Sequence, residues 1–340
     1  RQDRPVAAVL AILAPALALA VPLALRPQVE SAPAPAPVRL QGTPAARRVY
    51  VVAIDGLSPD DVAGDPAVAR VPWLARLARR GVLAPLATVR PTEGPAVWTT
   101  IMTGRLPRDH GVTSASSYRL FASRSEWALL PKAALVGMLE RAGLVSRRSL
   151  PSTARRKRAV WNVLDAFGIP CGLVGVFGTQ PPETIRGFVV SPYFYLLRHD
   201  SERRTASLYP HDLLAEVAAR ALEPADLDPA LLRELADPEE PAASPLDDPV
   251  VRQLAEQALA PDFSNARVAE VLLQAYAPSF FVMAFHGYDK AGHQFYRYAH
   301  PEAFGNVPPE EARRYGHVLS GYTALVGRWV QGLEKMLEPG

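Results

Sequence analysis

Six consecutive apolar, β-favouring residues, Val49–Ile54 (VYVVAI), run directly into Asp55-Gly56. A run with no polar alternate has both faces buried, which is the condition of an inner strand in a parallel sheet. Parallel strands need crossover helices, and open α/β sheets keep their ligands at the carboxyl ends of the strands. Asp55 is therefore expected at a functional edge. Residues 171–177 and 279–285 have the same character, and 82–89 is read as a further strand. Between these runs, Pro72–Arg80 (PWLARLARR) has helical spacing and stops at Gly81. Residues 95–103 (PAVWTTIMT) begin with proline at the first helical position and end at Gly104. Residues 159–167 are helical before a Gly168-Ile-Pro170 break, and 309–337 reads as one helix. The alternation predicts an α/β fold with a mostly parallel central sheet flanked by helices. Residues 181–262, polar and punctuated by proline, read as a helical insertion.

The N-terminal stretch obeys different rules. Residues 6–25 (VAAVLAILAPALALAVPLAL) carry no charge and are bracketed by Arg1, Arg4 and Arg26. Twenty such residues match a membrane span at about 1.5 Å per residue, and Pro15 and Pro22 are tolerated there. The expectation is an anchor or a signal segment over residues 1–30, with a buried core helix as the bland alternative. An Ala/Pro-rich spacer follows over 31–46, and a folded domain over 47–340. Both membrane readings put that domain outside the cytoplasm, on the periplasmic or cell-surface side. A lone cysteine, Cys171, excludes an internal disulfide and a Cys-rich zinc module. The formal charge of +3 is too small to call for a nucleic-acid duplex as partner.

Two segments carry chemistry. In Arg90-Pro-Thr92-Glu-Gly94-Pro95, a hydroxyl precedes a helix N-terminus, where unpaired N–H groups and the helix dipole favour a phosphate. The plain alternative is a turn whose threonine caps the helix. In His286-Gly-Tyr-Asp289-Lys-Ala-Gly-His293, an Asp and a His four apart follow a buried strand and can meet on one ion. The plain alternative is a pair that satisfies loop backbone.

Together these segments resemble the type I phosphodiesterase/nucleotide pyrophosphatase family of the alkaline phosphatase superfamily. The similarity is carried by Val51-Val-Ala-Ile-Asp55-Gly56, by Pro95-x-x-Trp98-Thr-Thr-Ile-x-Thr103-Gly104-x-x-Pro107-x-x-His110-Gly111, and by Tyr288-Asp289-x-x-x-His293-x-Phe295-x-x-Tyr298. Ala159-Val-Trp161 through Gly168, Pro182-Glu183 and Gly187-Phe-Val-Val-Ser191 resembles a block of the family's bacterial branch. The resemblance implies hydrolysis of phosphodiester or nucleotide pyrophosphate bonds at two divalent ions, usually zinc. Asp55 would bind one ion, and Asp289 and His293 the other. A Thr or Ser between the ions would attack phosphorus, and a metal-activated water would hydrolyse the covalent intermediate. The implied partner is a small phosphate ester, a nucleotide or a lipid head group.

Two departures from the family pattern stand out. The nucleophile slot falls on Gly94, and Thr92 is the nearest hydroxyl. The family's later Ser-Asp-His-Gly-type strand end, which supplies a second Asp-His pair, is not found before Gly340, so the chain is expected to be truncated. Asp109-His110-Gly111 belongs to the early helix-end block and does not replace it. Gly94 favours an alternative reading as an inactive relative that binds phosphorylated ligands. An envelope transferase of phosphoryl-linked groups would use the same site, whereas no sulfatase Cys/Ser-x-Pro-x-Arg motif occurs.

Overall fold

The computed structural model describes residues 26–27, 48–57, 72–84, 86–120, 126–128, 134–236 and 244–337. The apolar segment 6–25 and most of the Ala/Pro spacer lie outside them. Among the described residues no helix is long and apolar enough to cross a membrane. The chain divides into two compact units: residues 39–87 with 164–340, and residues 1–38 with 88–163.

The described strands, in chain order, are β1 (Arg26–Pro27), β2 (Val49–Ile54), β3 (Ser116–Leu120), β4 (Glu126–Ala128), β5 (Val145–Ser149), β6 (Cys171–Val174), β7 (Gly187–Val190), β8 (Leu208–Tyr209) and β9 (Phe280–Phe285). The larger unit holds a five-stranded sheet in the order β2-β9-β6-β7-β8. Its first three pairings are parallel, and β8 closes it antiparallel to β7. All six residues of β9 (FFVMAF) are buried, as its unbroken apolar run predicts. At about 1.5–3 kcal/mol for each large side chain removed from water, such a strand is a principal source of stability. Helix Val318–Leu337 covers one flank, with Trp329 edge-on to Phe285 at 5.4 Å and the Trp73 indole N–H donating to the Thr323 carbonyl at 2.8 Å.

Several expectations need correction. Residues 82–84 and 86–89 form no strand. Val82, Leu83 and Leu86 are 93%, 62% and 80% exposed, so the apolar run has no neighbour to pair or pack with. The stretch 309–337 is two helices, Pro309–Tyr315 and Val318–Leu337, separated at Gly316-His317. A Cβ on Gly316 would stand 2.4 Å from the Ala312 carbonyl and 3.1 Å from that of Tyr298, so only glycine allows the close approach. Within 181–262, the span read as a helical insertion, β7 and β8 are strands of the central sheet. The same span runs into a continuous helical rod from Pro249 to Tyr276 with a π turn at Ala255–Leu259. Pro261 has no N–H to donate back along the rod, and the wider turn just before it accommodates the pyrrolidine ring.

The smaller unit holds an antiparallel sheet in the order β1-β4-β3-β5, which the parallel-sheet reading of the sequence does not anticipate. Its strands are short and polar: β5 is VSRRS, exposed from Ser146 to Ser149. Helix Ala134–Arg141 packs on it through a small cluster of Tyr118, Val136 and Val145. Helix Gly94–Thr103 ends in a left-handed Gly104 at φ 61°, and the short helix Pro107–His110 in a left-handed Gly111 at φ 81°.

The two units carry opposite charge. Residues 88–163 contain thirteen Lys and Arg against four Asp and Glu, while 39–87 and 164–340 contain twenty-one against twenty-eight. The overall +3 is the residue of this segregation.

Candidate functional site

Strands β2 and β9 are paired in register to their last residues, Ile54 opposite Phe285. Asp55 and His286 therefore leave the sheet side by side, and the Asp55 N–H donates to the Phe285 carbonyl at 3.0 Å. Gly56 then turns with φ 81°, a conformation that favours glycine. Space demands glycine too: a Cβ there would meet the Asp289 Cα at 2.8 Å and its Oδ1 at 3.2 Å. The Asp55-Gly56 turn is thus laid directly against Asp289, which sits in the first turn of helix Gly287–Ala299. One helical turn on, His293 Nε2 is 3.7 Å from Asp289 Oδ2, with its side chain 82% exposed. The strand end and the helix start accordingly bring Asp55 next to Asp289, and Asp289 next to His293.

The electrostatics of this edge are unbalanced. Burial first, and then the neighbouring Asp55 charge, push the Asp289 carboxyl above the usual carboxylate range, partly offset by His293, His286 and Lys290. The helix dipole favours an acid in this first turn. His286 Nε2 donates to the Gly175 carbonyl at 2.6 Å, since a carbonyl can only accept. Its Nδ1 points towards Asp55, 3.6 Å from Oδ2, and is buried without a hydrogen bond. The ring packs on Phe177 at 4.2 Å between centroids.

Behind this edge lies a carboxylate that sequence reasoning missed. Asp262, on helix Ala260–Tyr276, is 2% exposed and accepts the Gly287 N–H at 2.7 Å. It also accepts the Tyr322 hydroxyl and the His286 backbone N–H, so it caps the helix carrying Asp289 from outside that helix. Burial pushes the Asp262 carboxyl up, and these donors with His286 oppose the shift. Burial and the adjoining Asp262 charge push the Tyr322 phenol well above its ordinary range, so the hydroxyl stays a donor. In sequence Asp262 follows a proline and reads as an ordinary first-turn acid; nothing local signals its burial.

Thr92 belongs to the smaller unit and is exposed. The N-cap of helix Gly94–Thr103 is Glu93, not Thr92, and Glu93 makes no side-chain cap bond. Gly94 is the first helical residue, with Pro95 after it. The Asp109-His110-Gly111 block is structural. His110 Nδ1 accepts the Val112 N–H at 3.1 Å, so Nε2 carries the proton and donates to Thr100 Oγ1 at 3.0 Å. Thr100 donates onward to the Ala96 carbonyl at 2.9 Å, tying helix Gly94–Thr103 to the turn that follows. Burial, assisted by Arg155 and opposed by Asp109, holds the His110 imidazole down at about 4.

Two carboxylates held together beside an orphaned imidazole nitrogen form a donor set that suits a divalent cation, which would relieve their repulsion. Among the described residues, however, no three His, Cys, Asp or Glu side chains are already gathered in a metal-binding arrangement.

A mostly parallel sheet with acidic residues at the carboxyl end of adjacent strands is the architecture of a ligand-binding α/β enzyme. The chain belongs to the type I phosphodiesterase/nucleotide pyrophosphatase family, whose model matches residues 49–337. Family members are metal-dependent hydrolases of phosphate esters such as nucleotides. No curated protein sequence matches the chain significantly.

Proposed function

We propose that the protein hydrolyses phosphodiester or nucleotide pyrophosphate bonds outside the cytoplasm through a two-metal site. Asp55 would ligate one ion, Asp289 and His293 the other, and Thr92 would be the nucleophile. The observation that carries this reading is the seating of the Asp55-Gly56 turn on Asp289, which pairs two carboxylates at the sheet edge where ligands bind. When bound, divalent ions, zinc by preference, supply Lewis-acid stabilisation of the phosphoryl oxygens and of the leaving oxygen.

The remaining roles belong to the chain. Asp262 and Tyr322 hold the start of helix Gly287–Ala299, and so set where Asp289 stands relative to Asp55. His286, anchored on Gly175, fixes the flank of Asp55. Thr92 would pass its hydroxyl proton to solvent as Oγ1 bonds to phosphorus and the ester oxygen departs with its electron pair. Water would later cleave the phosphothreonine P–O bond, its oxygen going to phosphorus and a proton returning to Thr92.

The test is hydrolysis of bis(p-nitrophenyl) phosphate with added zinc. Turnover that falls by several orders in Thr92→Ala, with zinc affinity retained, supports the assignment. Near-normal turnover in Thr92→Ala would transfer the attack to a water. The second reading, an inactive binder of phosphorylated ligands, is favoured by Gly94 at the nucleophile slot. Zinc binding without any phosphate mono- or diester cleavage would establish it instead.

A further inference from the structure

We infer that the smaller unit docks on an anionic lipid surface through the helix–turn–strand segment 134–149. The charge arithmetic comes first. With four acidic residues to thirteen basic ones across 88–163, most of the cations there have no carboxylate in their own unit, whatever pairs form. A surplus of nine on seventy-six residues is an electrostatic footprint for a polyanion.

The segment carries three of these cations, Arg141, Arg147 and Arg148, against one acid, Glu140, and ends on a sheet edge. Strand β5 lies at the end of the β1-β4-β3-β5 sheet, and adjacent strand residues Arg147 and Arg148 project to opposite faces. Both are exposed, and Arg147 Nε donates to the Ser116 hydroxyl at 2.9 Å, a bond that leaves its charge uncompensated. Arg141 closes the preceding helix, also exposed. Leu144, 49% exposed, lies between Arg141 and Arg147 in the chain, and Met138, 59% exposed, lies three residues before Arg141 on the same helix. Exposed aliphatic side chains flanked by guanidinium groups are the composition of an interfacial lipid contact.

A nucleic-acid surface fits less well. Single strands are held by aromatic platforms, yet among the residues of this unit whose burial is described Tyr118 and Trp161 are buried and Trp98 is half-buried. The chain order points the same way. β1, the outer strand at the other edge of this sheet from β5, begins with Arg26, the residue that follows the apolar stretch 6–25, so the unit itself adjoins that stretch in the chain.

The experiment is vesicle flotation with the full chain, comparing phosphatidylcholine alone with phosphatidylcholine containing phosphatidylglycerol. Because residues 6–25 can partition into either bilayer, the readout is the ratio between the two and its salt dependence. The wild type is expected to favour the anionic vesicles at least about tenfold, with the preference collapsing at high salt. Charge reversal at Arg141→Glu, Arg147→Glu and Arg148→Glu should abolish the preference, and the three Arg→Lys changes should keep it. Met138→Ser with Leu144→Ser should weaken anionic binding several-fold while leaving the salt dependence. Where the glutamate variant does not fold, the three Arg→Gln changes serve in its place. Equal binding of the wild type to both vesicles would overturn the proposal, as would an unaltered preference in the glutamate or glutamine variant; the arginines would then only blunt an exposed sheet edge. Tighter binding to a single-stranded oligonucleotide than to the anionic vesicles would also overturn it, in favour of nucleic acid.

Discussion

The two units handle polar groups in opposite ways. The larger one carries a surplus of acid, yet it buries the Asp262 carboxylate at its centre and surrounds it with donors. The smaller one carries a surplus of base, keeps Arg141, Arg147 and Arg148 at its surface, and buries a neutral imidazole, His110. Where the apolar core is large, an acid can be buried and used to aim a helix once donors surround it. Among the described residues of the smaller unit, the buried polar side chains, Thr99, His110, Ser114, Ser116, Ser117 and Ser152, can all stay uncharged.

The contrast is sharpest under mutation. Asp262→Ala strands the Gly287 and His286 N–H groups and the Tyr322 hydroxyl in the interior, and should cost about 3–5 kcal/mol by denaturant titration. A loss under about 1 kcal/mol would mean the carboxylate is a passenger, and the difference between the units superficial. Gly56→Ala should cost about 2–3 kcal/mol, because strain at positive φ adds to collision with Asp289. It should also weaken zinc binding, which a purely structural defect elsewhere would not.

Tyr322→Phe removes one of three donors and should cost about 1–2 kcal/mol. The effect that is smallest near neutral pH belongs to the basic unit. His110 has an unfolded pKa near 6.5 and a folded one of about 4, so the unfolded chain binds more protons in that window. Its contribution is complete above pH 6.5 and is lost as pH falls towards 4. The loss is about 1 kcal/mol near pH 6 and about 3 kcal/mol by pH 4, read as a falling melting temperature that His110→Gln flattens.

The legible part of this molecule is its local part. The run Val49–Ile54, the buried β9 and the glycine-terminated helices are dictated by neighbours in sequence, and they appear where periodicity puts them. The Asp55, Asp289 and His293 motifs are likewise compact, and the sheet edge brings them together. What escaped depends on distant partners. Residues 82–89 have strand composition but no ladder to join, and β7 and β8 hide in a stretch whose prolines suggest loops. Asp262 becomes a cap only because helix Ala260–Tyr276 crosses behind the Gly287 amide, a meeting across twenty-five residues. Opposite charges in the two units cancel in a whole-chain sum, so the basic surface is visible only after the chain is divided.

The proposal that the acidic unit's Asp55 and Asp289 hold the two ions of one dinuclear centre is tested most directly by titrating the purified chain with zinc in a calorimeter. Asp55→Asn and Asp289→Asn should each weaken binding at least about tenfold, because each removes a ligand from one of two adjoining ions. Asp109→Asn, an exposed acid of the basic unit, should leave the affinity unchanged. Wild-type affinity in both Asp55→Asn and Asp289→Asn would contradict the account.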